Sequence, residues 1–301
     1  MVLLLVLVVV ALLSALLTDF AFSTLVDLRL AETFRDSTRA QFLAKGGVRV
    51  GRIILQQDNN AFDAPGHPEE LWSQGLQNYP VAEGFVSIDI RDLGGSLNLN
   101  SLVSAGNPDV VQMDRFITLL KNLGIDDPPG LTDSLVDWID GDDVPRTYGA
   151  EDGYYQRLDK PYPCKNGPFD TLEELGMVRG FTPEVCRLLA PHVTVYGDTG
   201  GQKINVNSAS PELLLAWGNG MAQGDVDRIV EGRAEAPFKS LTELRNLIGL
   251  NAYTALNFNQ DLALTSWYYR ISSRAEVNEG VKRIEAVVAK NGDKLLFIKV
   301  Y

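Results

Sequence analysis

Hydrophobic residues fill positions 1–17 almost without interruption, and only Ser14 is polar. As a helix that rises 1.5 Å per residue, this run would be roughly 26 Å long, near the lower limit for crossing a bilayer core. No basic segment precedes the run and no clean small-residue cleavage site follows it, so it lacks two marks of a cleaved signal peptide. Two interpretations stay open: an uncleaved signal anchor, and a mature N-terminus left after removal of a short basic leader.

The helical pattern continues beyond the apolar run, over residues 19–55. Apolar positions recur at three- and four-residue spacing between charged ones, which predicts an amphipathic helix with one buried stripe. The stripe is predicted from Phe22, Leu25, Val26, Arg29, Phe34, Phe42, Leu43 and Val50. Gly46 and Gly47 weaken a helix, so a bend is expected there. We expect residues 1–22 to cross a membrane and residues 23–60 to leave it and pack against a globular domain.

Strand patterns stand on both sides of the middle of the chain. Residues 84–93 alternate apolar and polar side chains, the period of a half-buried strand. Residues 262–275 and 281–300 also read as strands, and Asn291-Gly292 is a strong two-residue hairpin signal. We expect residues 61–96 and 260–301 to build one antiparallel sheet around an inserted region.

The inserted region, residues 97–259, reads as short helices and repeats itself. LNLNS at 97–101 matches INVNS at 204–208, and FDTLEEL at 169–175 matches FKSLTEL at 238–244. In the second pair, Thr171 and Ser240 are natural N-caps, with Glu174 and Glu243 placed to complete capping boxes. These motifs serve either capping and core packing or a paired recognition module. The whole pattern predicts an α+β fold: a long helix on an antiparallel sheet with a large all-helical insertion.

Composition narrows the classes of function. The chain has 301 residues with a net charge of −12 and a pI near 4.7, and an acidic surface is poorly suited to nucleic acid. The segment from Ile204 is similar to the start of helix-hairpin-helix DNA-binding repeats, but Asp225 and Asp227 follow its glycine-rich hairpin. Negative charge beside a phosphate site opposes binding, so a membrane-anchored DNA-binding protein is kept only as the alternative.

The chain has two cysteines, Cys164 and Cys186. A membrane anchor followed by a region with few basic clusters suggests export, and exported cysteines tend to be oxidised. A disulfide between them is therefore expected, with two buried free thiols as the alternative.

The densest polar cluster surrounds Gly141. It contains the carboxylates of Asp133, Asp137, Asp140, Asp142, Asp143, Glu151 and Asp152. Close carboxylates repel unless a cation or water screens them, and hard oxygen ligands in a flexible loop favour Ca²⁺. The spacing does not match an EF-hand. A calcium site and a solvated acidic loop are both consistent with this pattern.

Enzyme signatures are poor. The two histidines, His67 and His192, lie far apart in sequence, and no G-x-S-x-G elbow is present. The stretch 197–203 is similar to a phosphate loop, but Gln202 occupies the glycine position before the lysine. We expect a non-enzymatic protein, with a hydrolase built on the acidic loop as a third option.

Together these residues resemble the K-type minor pseudopilin family of the type II secretion pathway. The resemblance spans essentially the whole chain and rests on a set of motifs that are individually weak: the run 1–17, LNLN at 97–100, DWIDGD at 137–142, GAEDGYY at 149–155, FDTLEEL at 169–175 and INVNS at 204–208. It implies a type IV pilin-like helix packed on a sheet, with a calcium-binding helical insertion. The ligand role is carried over to Asp137, Asp140, Asp142, Asp143, Glu151 and Asp152.

The resemblance also gives a meaning to the N-terminus. Most pilin-like subunits carry a glutamate at position 5, which seeks the N-terminal amine of a neighbouring subunit because an unpaired carboxylate in lipid is costly. Here the residue is Leu5, a departure that the K-type family shares and that suits a subunit at the tip of a filament. Met1 would be the processed, methylated N-terminus.

The expected function is a single-pass inner-membrane protein with a periplasmic soluble part. It would nucleate or cap a pseudopilus by binding the I- and J-type minor pseudopilins through its long helix, with the H-type as a further partner. It would also support export of folded proteins and contact secreted substrates.

Overall fold

The computed structural model describes residues 1–200, 202–218, 220–290 and 294–301. The helices, in chain order, are α1 Val2–Gln57, α2 Leu71–Gln74, α3 Val110–Asn122, α4 Pro128–Ile139, α5 Asp152–Tyr155, α6 Pro183–Leu189, α7 Pro211–Trp217, α8 Gln223–Glu235, α9 Leu241–Ile248 and α10 Leu250–Leu256. The strands are β1 Leu76–Val81, β2 Gly84–Asp92, β3 Leu97–Asn98, β4 Val103–Ser104, β5 Asn107–Pro108, β6 Val193–Thr194, β7 Ile204–Asn205, β8 Leu262–Ala263, β9 Tyr268–Val277, β10 Gly280–Ala289 and β11 Leu295–Val300. Two 3-10 helices cover Leu99–Leu102 and Leu172–Met177.

Helix α1 runs through 56 residues without a break, as the continuing pattern predicts. Its N-terminal part is exposed on all sides and is long and apolar enough to cross a membrane by length and composition. Gly46 and Gly47, where a bend is predicted, both stay helical.

The predicted buried stripe of α1 is wrong except at Leu43, which is half-buried against the core of the sheet. The residues that are buried are small for the most part: Asp36, Ala40, Ala44, Gly47, Val48, Gly51 and Leu55. The large apolar residues assigned to the stripe remain exposed: Phe22, Leu25, Val26, Phe34, Phe42 and Val50. Phe22, Leu25, Val26 and Phe34 are exposed because they precede Asp36, the first buried residue of α1, and do not reach the sheet. Where α1 does pack on the sheet, a Cβ added to Gly47 would lie 2.1 Å from Ser273 Oγ, so the helix lies too close for most bulky side chains.

The sheet has five strands in the order β1-β2-β9-β10-β11, and every neighbouring pair is antiparallel. Its face towards α1 is an apolar core that includes Val86, Ile88, Ile271, Ile284 and Ala286. Because β2 is followed in the sheet by β9, the whole chain between them, Leu93 to Trp267, is an insertion. This architecture confirms the predicted α+β fold class.

The strand predictions are correct in outline and differ in detail. The strand predicted at 84–93 is β2, and the pattern at 281–300 divides into β10 and β11. The predicted turn at Asn291-Gly292 lies outside the described residues. The segment 262–275 is not one strand, because β8 pairs in parallel with β7 and β9 begins only at Tyr268. Strand β1 was not predicted: it contains Pro80 and a left-handed Asn78, and its register with β2 is interrupted.

The insertion has its own apolar core, separate from that of the sheet. Two repeated asparagines organise it. Asn100 accepts the N–H of Phe169 at 2.7 Å and donates to the carbonyl of the same residue at 3.0 Å. Asn207 does the same with Phe238, at 2.9 and 3.0 Å. The same bonds therefore form in both repeats, which favours the capping and packing interpretation of these motifs.

A buried polar junction joins the sheet to the insertion. Lys290, at the end of β10, lies 2.8 Å from Asp58 and 2.7 Å from Asp63, which follow α1. Asn205, which begins the second repeat, donates to the Asp63 carbonyl and to Ser266 Oγ. Four segments far apart in sequence thus meet at one point.

Candidate metal centre

The acidic loop connects α4 to α5. Asp140 is the C-cap of α4, Gly141 has no neighbour that a side chain would meet, and Glu151 is the N-cap of α5. This path returns the chain on itself, so carboxylate oxygens of Asp140, Asp142 and Glu151 lie within 4.8 Å of one another. Three of the six predicted ligands therefore form one group.

The group combines burial with unsatisfied oxygens. Asp140 is 7% exposed and Glu151 is 4% exposed. Asp140 Oδ1 and both carboxylate oxygens of Glu151 are buried without a hydrogen-bond partner. Buried polar groups are nearly always satisfied in native proteins, so such a concentration calls for an ion or water.

The electrostatics agree with this interpretation. Burial, followed by the nearby charges of Asp137, Asp140 and Asp142, raises the pKa of Glu151 to about 7. Burial and the charge of Asp142 also raise the pKa of Asp140. Both carboxylates are therefore destabilised in their ionised forms, and a bound cation would remove that destabilisation.

Asp137 lies behind this group and is fully buried. Its two oxygens accept the backbone N–H of Arg146 at 3.3 and 3.1 Å, and Gly149 packs directly against the carboxylate. Burial is the largest cause that raises the pKa of Asp137 to about 6, followed among the raising causes by the charge of Asp140. This side chain holds the returning loop in place and adds negative charge to the centre.

Asp143 and Asp152 lie outside the group. Asp143 Oδ1 accepts a hydrogen bond from Asn166, and its side chain is exposed. Asp152 Oδ1 accepts the backbone N–H of Cys164. The structure therefore does not place these two predicted ligands in the group formed by Asp140, Asp142 and Glu151.

Neighbouring contacts fix the loop. Asp133 forms an ion pair with Arg146 at 2.8 Å and also accepts the N–H of Tyr148. Trp138 and Tyr155 pack edge to face with ring centroids 5.1 Å apart. Asp133 thus supports the loop from α4, and the aromatic pair holds α4 against α5.

The expected disulfide is absent from the structure, where Cys164 and Cys186 are both free. The Cys164 thiol donates to the carbonyl of Asp137 at 3.6 Å, and the Cys186 thiol donates to that of Phe181 at 3.8 Å. Each sulfur thus lies against a different part of the chain. Burial raises the pKa of Cys164 to about 12, so this thiol stays protonated at neutral pH.

Sequence reasoning missed a second carboxylate cluster, formed by Asp58, Asp63 and Glu70. The spacing of these three residues matches no known motif. Lys290, which pairs with two of them, lies more than 200 positions away in sequence. The Lys290 ammonium contacts two of the three carboxylates and takes the place that a metal ion would need. Burial, together with the charges of Asp58 and Asp63, raises the pKa of Glu70 to about 7.

The histidines have local structural contacts. His192 Nδ1 lies 2.7 Å from Ser210 Oγ, but the same oxygen caps α7 by accepting the N–H of Leu213. His67 packs edge to face with Phe62. Both contacts account for the histidines as packing and capping residues.

The N-terminal positions lie at the start of α1. Met1 is the N-cap residue, and its carbonyl accepts the N–H of Leu5. The Leu5 side chain is exposed on the apolar part of the helix. Nothing polar interrupts this face near position 5.

Comparison with known proteins identifies a family to which the chain is similar. Two models of one family, both described as type II secretion system protein K, match residues 95–198 and 204–264. They divide the insertion between its two repeats. Proteins of the same description are similar over most of their length: one from Aeromonas hydrophila is 26% identical over 98% of this chain and 94% of its own, and one from Klebsiella pneumoniae is 30% identical over 71% and 68%.

A solved structure has the same fold. It is described as the GspK-GspI-GspJ complex from the type 2 secretion system of enterotoxigenic Escherichia coli. The match has a TM-score of 0.62 and 20% identity, and covers 92% of this chain and 99% of the other. Both family models and both relatives are described as protein K, and none of them supports the helix-hairpin-helix alternative. The chain belongs to the type II secretion system protein K family.

Proposed function

We propose that the protein is a non-enzymatic minor pseudopilin at the tip of the type II secretion pseudopilus. The observation that carries this proposal is membership of the protein K family, together with a pilin-like helix and sheet that carry a large helical insertion. The structurally similar protein is described in a complex with GspI and GspJ. By extension, the partners of this chain are the I- and J-type minor pseudopilins, with the H-type as a further neighbour.

The apolar start of α1 supports a location in the inner membrane. Its apolar start would hold the protein in the inner membrane as a single span, with the remaining residues in the periplasm. Extraction into the filament would bring the helix against those of other subunits. Leu5 supports a terminal position because a tip subunit has no subunit above it whose amine needs an acidic partner. Methylation of Met1 belongs to the same proposal, as does contact with secreted proteins.

Deletion of the gene tests this function. We expect fewer or longer pseudopili and impaired secretion of folded proteins, both restored by the wild-type chain. Unchanged secretion and unchanged filament number would contradict the proposed role. Mass spectrometry of the mature protein would show whether its N-terminus is a methylated Met1.

Calcium binding is the second part of the proposal. Asp140, Asp142 and Glu151 would hold Ca²⁺, with Asp137 behind them. Support comes from the unpartnered buried oxygens and from the donor set, because hard carboxylate oxygens in a loop suit Ca²⁺. When bound, the ion would neutralise mutual repulsion and fix the loop between α4 and α5. Its role would be to brace the insertion.

A pair of adjacent residues offers a sharp test of the calcium site. Asp142→Asn removes a member of the group, whereas Asp143→Asn changes a neighbour outside it. In calorimetric titration of the purified full chain we expect at least tenfold weaker Ca²⁺ binding for Asp142→Asn and an affinity within about twofold of wild type for Asp143→Asn. Equal affinities for the two variants would contradict this ligand assignment.

A further inference from the structure

The half of α1 that packs on the sheet is basic. From Asp36, where α1 begins to pack on the sheet, to Gln57 the helix contains Arg39, Lys45, Arg49 and Arg52. Its one acidic residue there is Asp36, which pairs with Arg35, and the net charge of the whole chain is −12. Positive charge is thus concentrated on one rod of an otherwise acidic protein. Such a reversal of sign is a recognition feature, since complementary potentials steer and orient partners.

Part of this charge lines a groove between α1 and the edge strand β11, which we call the α1–β11 groove. The groove has a volume of about 540 Å³, and its walls include Lys45, Arg49, Ile53, Leu295 and Ile298. Ile53 is 45% exposed and Ile298 is 47% exposed. The α1 wall of the groove therefore carries cationic side chains together with Ile53, and the β11 wall carries the apolar side chains of Leu295 and Ile298.

The two cations that carry the inference are Lys45 and Arg49, one helical turn apart. Among the residues that the structure describes, neither forms an ion pair with a carboxylate of the chain; Lys45 lies over the Phe42 ring, 5.5 Å from its centroid. Their charges thus remain available to a partner. Arg39, by contrast, is paired with Glu83 on the other side of the helix.

Membrane lipid does not account for these charges. Lys45 stands 28 residues beyond the end of the apolar run at Leu17, which corresponds to about 40 Å along a helix. Attraction to anionic headgroups fades within a Debye length of the surface, about 8 Å in physiological salt. Anionic lipid is therefore too far away to be the partner of these charges.

The shape of the groove favours a helix as its occupant. One wall is α1 and the other is the side-chain face of β11, so the open space runs beside α1 for about two to three turns. A parallel or antiparallel helix fits such a space at the usual interaxial distance of 8–10 Å. Its apolar stripe would contact Ile53 and Ile298, and acidic side chains on its flank would meet Lys45 and Arg49.

We propose that the α1–β11 groove is the docking site for an acidic amphipathic helix of a neighbouring minor pseudopilin. This inference rests on the proposed function and adds to it the face of the chain that is used and the charge of the partner. Docking would couple subunits along α1 at a fixed height above the membrane, and ion pairing with Lys45 and Arg49 would set the register between the helices.

The test compares two charge reversals of equal size. The first is Lys45→Glu with Arg49→Glu in the groove, and the matched control is Lys121→Glu with Arg245→Glu on exposed helices of the insertion. Full-length chains are coexpressed with the I- and J-type minor pseudopilins, extracted in detergent and co-purified over a range of salt concentrations. Unfolding temperatures of the purified chains verify that all variants fold.

We expect the groove variant to retain at least tenfold less partner than wild type, and the control to retain as much as wild type. Wild-type retention should fall as salt rises, and the groove variant should lose that dependence. An Ile298→Asp variant should also reduce retention, because it places a charge on the apolar wall.

Retention of partners by the groove variant at the wild-type level would overturn the inference and leave the proposed function intact. That result would be expected if a partner added a strand to the backbone edge of β11, which does not need Lys45 or Arg49. If the wild-type chain retained neither partner, the proposed function would fail, and the inference with it.

Discussion

Single side chains hold the insertion together at points where the backbone has no regular structure. Asn100 and Asn207 each satisfy the N–H and the carbonyl of a phenylalanine 69 and 31 residues further along the chain. An amide side chain suits this role because its oxygen accepts and its nitrogen donates from adjacent atoms of one planar group. The repeated asparagines are therefore structural residues, although a sequence motif of this kind could equally have marked a binding module.

Asn100→Ala tests this role. The substitution removes the hydrogen-bond partner of three buried backbone groups: the N–H of Phe169, the carbonyl of Phe169 and the carbonyl of Val195. We expect the free energy of unfolding to fall by about 3 kcal/mol, measured by denaturant unfolding of the full chain. Asn251→Ala, on the exposed side of α10, is the control and should change stability by less than about 0.5 kcal/mol. Similar losses for both variants would contradict the proposed role.

At the scale of elements, the contact between α1 and the sheet depends on the absence of side chains. Ala40 and Ala44 are fully buried, and Gly47 and Gly51 bring the helix within reach of Ser273 and Ile271. From the sheet side, Gly280 at the start of β10 lies directly against the backbone of Asp36. Hydrophobic periodicity gives most weight to large apolar residues, so it predicted the wrong face of the helix. The contact is stabilised by close packing of small residues and not only by the area of apolar surface that is buried.

Gly280→Ala tests the close approach. A Cβ at this position would lie 2.4 Å from the carbonyl carbon of Asp36, and backbone cannot rotate away as a side chain can. We expect a loss of about 2 kcal/mol or more in the free energy of unfolding. Gly46→Ala, on the open side of α1 with nothing within 4 Å, should instead stabilise the helix by about 0.5–1 kcal/mol. Thermal unfolding of both variants separates steric crowding from helix propensity.

At the scale of the whole molecule, one charged junction decides how the two cores are joined. Lys290 lies between Asp58 and Asp63, and Glu70 completes the cluster with Asn60 donating to it at 2.7 Å. Three carboxylates face one ammonium, so the third is destabilised in its ionised form. The junction therefore makes the stability of the full fold depend on pH.

The sign of this dependence follows from Glu70. Its pKa is raised from 4.5 to about 7, so between these values the folded chain holds a proton that the unfolded chain has released. The free energy of unfolding therefore falls as pH rises through this range. In Glu70→Gln the contribution is removed, and we expect this variant to be more stable than wild type by about 2 kcal/mol at pH 8.

At pH 4.5 the advantage of Glu70→Gln should largely vanish, because wild-type Glu70 is then protonated when folded. Unfolding curves at the two pH values measure the difference. Glu69→Gln, at the exposed neighbouring position, is the control and should follow wild type. An equal advantage of Glu70→Gln at both pH values would show that the effect is not due to this ionisation.

The sequence by itself determined the main elements and their order, apart from β1 and the division of residues 262–275. The signals that predicted them are local: an apolar run, an uninterrupted helical pattern, alternating strand patterns at both ends and repeated capping motifs. A local signal can be recognised without knowing which residues are neighbours in the folded chain. They were enough to predict the α+β fold, the helical insertion and the acidic loop, and the motif set pointed to the family that the comparisons then confirmed.

Tertiary structure alone decided which residues meet. It selected Asp140, Asp142 and Glu151 from a longer acidic series, put Lys290 beside Asp58 and Asp63, turned the small residues of α1 to the sheet, and left Lys45 and Arg49 beside the exposed edge strand. Each of these outcomes depends on contacts between positions distant in the chain or on the distance between packed backbones. Neither these contacts nor these distances can be predicted from the spacing of residues in one segment. Spacing determines the face of a helix or strand to which a side chain points, but not which part of the chain packs against that face.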